Sequence, residues 1–340
     1  MRKLSRKFTM GLILVTSMLL TACTASGNKT KSTNSSQNTT KTVSIGYQSG
    51  MPALTILKEQ GTLQKELKKE GIKLTWHYFD STSDMVNATG NSSNGIDFGG
   101  GGATASIFGQ SANKQIIKVA AQTGALHGSS ILTKKDSGIN SVKDLKGKKV
   151  AVTKGTTQQY LLVEALKKAG LKYSDITPIY MTASDALAAY KKGGQFDAWA
   201  VWDPITAQAQ ASVKSTVVAD NYSVFGEKAE HQFASYFFAS KSFVKNNPKT
   251  VNIILSQLKK SEKWYVNNPE KASKLLAKAY NTDYNSLLVA AKRSGSRRIL
   301  PVNKNILSGY QDQADVFYNL KVIPHKVNAY DKAFYWDYSK

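Results

Sequence analysis

Three short stretches combine glycine, small residues and hydroxyls in a pattern that suits main-chain capture of an anion. They are Tyr47-Gln48-Ser49-Gly50-Met51-Pro52, Asp97-Phe98-Gly99-Gly100-Gly101-Gly102-Ala103-Thr104 and Thr153-Lys154-Gly155-Thr156-Thr157. Each lies where an apolar, strand-like run gives way to a helical pattern. The first N–H groups of a helix have no partner inside it, and the dipole makes that end positive, so an anion is favoured there. Any one stretch by itself reads as turn and N-cap chemistry; the three together point to an anion site. Gly99–Gly102 is neither a dinucleotide fingerprint nor a P-loop, since Thr104 stands where the third fingerprint glycine would fall and no Gly-Lys-Ser/Thr follows. A fourth stretch, Ala198-Trp199-Ala200-Val201-Trp202-Asp203-Pro204, places an acid at a strand end, where it caps the next helix with Pro204 at its start. Trp199 and Trp202 are three apart, so on a strand they face opposite sides. One packs inward and the other is free to line a cleft; the spacing does not say which.

Catalytic patterns are missing from the sequence. His77, His127, His231 and His325 are scattered, without HExxH or GxSxG, and the single cysteine, Cys23, excludes an internal disulfide or a thiolate metal site. No cofactor and no metal are expected, and the chain reads as a non-enzyme.

The elements that must position the anion stretches follow a regular rhythm. Strands are expected at Thr42–Tyr47, Ile72–Phe79, Ile96–Phe98 and Ile116–Ala121, with helical segments at Pro52–Glu70 and Thr104–Ala112. The rhythm restarts after Gly128, with strands at Ser130–Thr133, Lys149–Thr153, Phe196–Trp202 and Thr216–Ala219. Helices are expected at Thr156–Ala169, Ala183–Lys192 and Pro204–Ala211. After Ser235–Phe238 the chain becomes mostly helical. This alternation predicts an α/β chain with largely parallel sheet in two lobes. Open α/β sheets bind ligands beyond the carboxyl ends of their strands. Two anion stretches fall in the first lobe and one in the second, so a bound anion would bridge them.

Composition and address narrow the setting. The 340 residues carry a net charge of +23, of which +16 remains on residues 43–340. An anionic partner is therefore in play. No zinc finger or interleaved basic–aromatic stripe is present, so nucleic acid is not expected. Residues 1–22 hold a basic start, Arg2 to Lys7, and an apolar stretch from Phe8 to Leu20, only 13 residues long. That is short of the roughly 20 needed to span a bilayer and fits a signal peptide. Leu20-Thr21-Ala22-Cys23 resembles a bacterial lipobox, which makes Cys23 the lipidated N-terminus and places the protein outside the cytoplasm on the cell membrane. Residues 23–42 then form a tether rich in Ser, Thr, Asn and Lys, too polar to bury a core. As a coil it would span about 23 Å.

The body is similar to extracytoplasmic solute-binding proteins of ABC importers, in the aliphatic sulfonate, taurine and nitrate group. The resemblance rests on Ile45–Gly50, Leu54–Gly61, Gly95–Gly99, Ser141–Lys149, Lys154–Val163, Gly170–Ile176, Phe196–Pro204, Tyr310–Asp315 and Ile323-Pro324. It covers about residues 43–330 and favours the sulfonate branch. It implies a type II periplasmic-binding-protein fold, with two α/β lobes joined by two crossover strands around a ligand cleft. Residues 43–128 plus 237–340 would form lobe I and 129–236 lobe II. It further implies a monomer that delivers an alkanesulfonate to permease subunits driven by a cytoplasmic ATPase. By match, the oxyanion is held by Gln48, Ser49, Gly50, Gly101, Gly102, Ala103, Thr156 and Thr157, with Asp203 as strand-end acid and Trp202 as cleft wall. Two departures stand out. Many relatives continue Asp-Phe-Gly with Ser/Thr-Gly-Glu-Pro; here Gly100–Thr104 carry no acid, which favours a tail without an amino group. Arg297-Arg298 replace a frequent Tyr-Gly pair, so one of them, Arg297 as the candidate, could reach the cleft as an oxyanion partner, the other reading being a surface salt bridge. Taurine, nitrate or a thiamine-type heterocycle are alternative solutes, and a surface polyanion binder is a remote alternative role.

Overall fold

The computed structural model describes residues 41–91 and 95–336. The expected signal peptide, Cys23 and nearly all of the tether lie outside the described residues. The first part of the body runs β1 Thr42–Tyr47, α1 Pro52–Gln60, α2 Thr62–Lys69, β2 Lys73–Tyr78, α3 Thr82–Ala88, β3 Phe98–Gly102, α4 Ala103–Ser111 and β4 Ile116–Gln122. The second runs β5 Ser129–Lys134, β6 Lys149–Val152, α5 Thr157–Lys168, β7 Thr177–Tyr180, α6 Ala183–Lys192, β8 Ala198–Trp202, α7 Ile205–Ser212 and β9 Ser215–Asp220. Then come α8 Asn221–Phe225, α9 Ala229–Gln232, β10 Ser235–Ser240, α10 Lys241–Asn246, α11 Pro248–Asn267, α12 Pro269–Tyr280, α13 Tyr284–Arg293, β11 Ile299–Leu300 and α14 Lys304–Asn319.

The strands form two sheets, in the orders β11-β4-β10-β3-β1-β2 and β7-β6-β8-β5-β9. The chain passes from the first sheet to the second between Gln122 and Ser129, and returns between Asp220 and Ser235. This is the expected α/β architecture of two sheets joined by two crossovers.

The sheets are mixed rather than largely parallel. Among the described residues, four pairings are parallel and five antiparallel. The crossovers account for most of the difference. β5 enters the second sheet running against β8 and β9, and β10 re-enters the first running against β3 and β4. Helix α3 and strand β7 were not anticipated. α3 buries only Met85 and Val86 of its seven residues, and β7 reads Thr-Pro-Ile-Tyr at a sheet edge with none buried, so neither displays a clear apolar pattern.

Punctuation residues set several ends. Pro52 opens α1, and Gly61 closes it in the left-handed conformation at φ 64°. The Thr182 hydroxyl accepts the Asp185 N–H at the start of α6, and Gly193 closes that helix at φ 86°.

The largest apolar cluster belongs to neither sheet alone. It takes Ile107 and Ala121 from the first part of the body and Ile131, Val150 and Leu161 from the second, with Tyr310 and Phe317 of α14. A second cluster packs Phe98, Phe237 and Leu258 on the first sheet, and a third packs Trp199, Tyr190 and Leu132 on the second.

Strand β3 consists of Phe98 and four glycines, buried except for its last residue. Side chains are excluded there by crowding. A Cβ on Gly101 would lie 2.2 Å from both Thr82 Cγ2 and Oγ1, and one on Gly99 would lie 2.5 Å from Met85 Sδ. Gly50, by contrast, has nothing within 4 Å of such a Cβ. Overpacking a tight interior costs about 1–3 kcal/mol. Gly101→Ala should therefore lower unfolding free energy by that order in urea melts, whereas Gly50→Ala should stay within about 0.5 kcal/mol.

Candidate functional site

The site is built from the junctions β1–α1, β3–α4 and β6–α5, at the carboxyl ends of three strands. The structure brings all three together. Gln48 Nε2 donates to Thr82 Oγ1 at 2.7 Å and to the Gly100 carbonyl at 3.1 Å, which fastens the first junction to the second. The hydroxyls of Thr104 and Thr157 lie 3.4 Å apart, and a Cβ on Gly102 would also sit 3.4 Å from Thr157 Oγ1. The second junction thus meets the third across the two sheets. Ser49 and Gly50 are exposed, Gly101 and Ala103 are buried, and Gly102, Thr156 and Thr157 are half-buried.

These three helices share a feature. Helices α3, α6, α8, α10, α13 and α14 are capped by the side chains of Ser81, Thr182, Asp220, Ser240, Asp283 and Asn303. Helices α1, α4 and α5 begin at Met51, Gly102 and Thr156 with no side-chain cap, as do α2, α9, α11 and α12, but only these three starts are brought together at one place. Thr156 is of a capping type, yet its hydroxyl donates to the Thr153 carbonyl at 2.7 Å instead. Main-chain N–H groups at the start of these helices thus lack a side-chain acceptor, although those of Leu54 and Gln159 donate to the carbonyls of Met51 and Thr156. Such converging donors suit a small oxyanion.

Gln159 contributes a support that residue type alone did not signal. Its Oε1 accepts the Gly155 N–H at 2.7 Å and its Nε2 reaches Tyr173 Oη at 3.2 Å, holding the third junction from behind. Thr82 likewise supports the first junction from α3, an element the sequence did not reveal.

At the end of β8, Trp199 is the core residue, 1% exposed and packed against Tyr190 and Phe196 at ring distances of 5.7 and 6.4 Å. Trp202 is half-buried and touches the same cluster. The two do not separate cleanly onto opposite faces, because Trp202 is the last strand residue and the pleat gives way to the turn at Asp203. Asp203 does cap the following helix, accepting the Ala207 N–H at 3.1 Å. It also makes an ion pair that was not expected. Arg293 Nη1 lies 3.3 and 3.5 Å from its two carboxylate oxygens, while Arg293 Nη2 donates to Gln210 Oε1 at 2.5 Å. The Asp203 main-chain N–H donates to the Gly128 carbonyl in the first crossover at 2.8 Å. Burial pushes the Asp203 carboxyl up to about 6, with Arg293 opposing the shift.

Arg297 is placed elsewhere. Its Nε lies 3.1 Å from Glu262 Oε1, a carboxylate 2% exposed, and its guanidinium stacks 5.2 Å from the Tyr265 ring centre. With Lys259, Lys263 and Arg298 it borders a cavity of about 370 Å³ that includes none of the junction residues. Arg298 pairs with Glu230 at 2.8 Å. In the sequence, Arg293 reads only as a basic residue in the last turn of a helix; its partner is 90 positions away.

Among the described residues, no cluster of His, Cys, Asp and Glu could hold a metal ion, and no helix is long and apolar enough to cross a membrane.

Comparison with known proteins gives consistent matches. A family model described as NMT1/THI5 like matches residues 67–272. A protein of Escherichia coli (strain K12), provisionally named as an aliphatic sulfonates-binding protein, is 31% identical over 84% of this chain and 86% of its own length. The crystal structure of the periplasmic aliphatic sulphonate binding protein from Escherichia coli superposes with a TM-score of 0.79 at 30% identity. It covers 87% of this chain and 92% of that one. The alkanesulfonate-binding protein from Xanthomonas axonopodis pv. citri, solved with MOPS bound, gives a TM-score of 0.76 at 26% identity, over 87% of this chain and 98% of that one.

In the folded chain Asp203 holds its proton up to about pH 6, whereas an unperturbed aspartate ionises near 3.9. Between those values the native state binds a proton that the unfolded state has lost, so stability falls as pH rises. Asp203→Asn removes this slope. From pH 4 to 7, the wild type should lose roughly 2 kcal/mol relative to the variant in urea unfolding. A pH-independent difference would mean that Arg293 keeps the carboxylate ionised throughout.

Proposed function

Given that the chain belongs to the NMT1/THI5-like family, we propose that it is the extracytoplasmic solute-binding component of an ABC importer, and that its solute is an aliphatic sulfonate. It binds and does no chemistry on the solute. The observation that carries the reading is the convergence of three helix starts without side-chain caps, linked through Gln48 and through the Thr104–Thr157 contact. A sulfonate has three oxygens and one negative charge. Main-chain N–H groups and hydroxyls satisfy those oxygens without burying a counter-charge, which would carry its own desolvation cost. In this reading Gln48, Ser49, Gly50, Gly101, Gly102, Ala103, Thr156 and Thr157 surround the oxyanion, and Trp202 walls the tail.

The two lobes would be residues 43–128 plus 237–340 and residues 129–236, closing on the ligand as a monomer. The closed form would then dock on permease subunits coupled to a cytoplasmic ATPase. Cys23 would carry the lipid that keeps the body on the outer face of the cell membrane. The relatives' names support the sulfonate assignment; taurine, nitrate and a thiamine-type heterocycle are the competing solutes.

Thermal melting of the full chain with alkanesulfonates, taurine, sulfate, nitrate and thiamine tests the solute. A ligand at 100 times its Kd adds about 2.7 kcal/mol, which should raise Tm by a few degrees. The expected result is a shift with alkanesulfonates and none with sulfate or nitrate. A shift with thiamine alone would discard the sulfonate. For the anchor, wild-type protein should sediment with membranes, and Cys23→Ser should move to the soluble extracytoplasmic fraction. Co-sedimentation of the variant would rule out lipidation at that residue.

A further inference from the structure

The Asp203–Arg293 pair joins the β8–α7 junction to the end of α13, beyond the carboxyl end of β8. Asp203 follows the carboxyl end of β8, and β8 pairs with β6, whose own end leads into Thr156 and Thr157. Arg293 ends α13, which packs on α12 and, through it, against α1 of the first sheet. The carboxylate side chain is 9% exposed and the guanidinium 28%. Arg293 is fixed at two points of its fork, by both Asp203 oxygens and by Gln210 of α7. Asp203 is fixed at the Gly128 carbonyl and the Ala207 N–H. Neither group is held loosely.

We propose, resting on the sulfonate reading above, that this pair sets specificity by excluding ligands whose tail ends in a primary ammonium. An unpaired carboxylate next to an oxyanion site would attract an ammonium group a few carbons from the sulfonate. Here the carboxylate is already neutralised by a group of the same chain. An incoming ammonium would meet the guanidinium, a like charge, in a place with little water to screen it. It would also give up its hydration without gaining an acceptor. The glycine run Gly99–Gly102 supplies no second carboxylate on the facing strand end. A plain alkyl tail bears none of these costs. Discrimination of this kind comes from a repulsive element as much as from an attractive one.

The test is calorimetric binding to the full chain of two matched pairs: ethanesulfonate with taurine, and propanesulfonate with 3-aminopropanesulfonate. Wild-type protein should bind each plain sulfonate at least tenfold more tightly than its amino counterpart. Arg293→Gln frees the carboxylate and should shrink that ratio at least tenfold, by improved binding of the amino ligand. Arg293→Lys keeps the charge and should keep the ratio. Asp203→Asn leaves Arg293 unpaired and should widen the ratio; this holds the test open if Arg293→Gln proves too unstable to purify. An unchanged ratio in Arg293→Gln, with plain sulfonates still bound, would overturn the specificity role and leave the importer reading intact. Binding of no sulfonate by wild-type protein would overturn both.

Discussion

Close approach to strand β3 is the constraint on which the arrangement depends. This strand lies inside the first sheet, between β10 and β1. Because four of its five residues have no side chain, Met85 and Thr82 of α3 press on one side and Phe237 of β10 packs beside Gly100. The sulfur of Met85 even accepts the Gly100 N–H at 3.3 Å. That closeness brings Thr82 and Gln48 into hydrogen-bonding distance and exposes the Gly100 carbonyl to the Gln48 amide. It also lets Gly102 come within reach of Thr157 from the other sheet. A strand of ordinary side chains would hold these groups apart. The glycines are needed for room, since none of the four adopts a positive φ.

The second organising feature is the continuity between the halves. Helix α14 contributes Tyr310 and Phe317 to a cluster that also holds Ile107 and Leu161, one from each part of the body. Gln232, in the returning crossover, accepts from Tyr160 Oη at 2.7 Å and donates to Asp312 of α14 at 2.7 Å. Polar contacts reinforce the same seam at Asp203–Arg293, and Arg298 ties β11 to Glu230 of α9. Tight packing of this kind permits discrete rearrangements rather than continuous bending.

Much of this was legible from local pattern. The strand and helix rhythm, the three junctions and the Asp203 cap all rest on residues close together in sequence. A helix start is a local event, set by a turn, a Pro or Thr and the first unpaired N–H groups. For the same reason the glycine run and the position of Pro204 could be interpreted without knowing what surrounds them. The failures are of another kind. The sheets are mixed because the chain crosses between them twice, and strand direction after a crossover is not encoded in the strand's own residues. Trp202 departs from strict alternation because it stands at a strand end.

Long-range partnership was decided by the tertiary structure alone. Arg297 is a candidate anion partner by residue type, with a salt bridge as the other reading, and the fold decides for the salt bridge: its guanidinium is taken by Glu262 and Tyr265 on α11. Arg293 carried no local signal and reached Asp203, 90 positions away. The chemistry of each side chain is fixed by its type, but its charge is spent on whichever partner the packing brings near. In a weakly solvated setting that partner changes the outcome, since an unpaired buried charge is costly and a paired one is silent. The sequence by itself thus determined that this chain can offer main-chain donors to an anion at three helix starts. Only the folded arrangement decided that the three meet, and which of its charges remain to face a ligand.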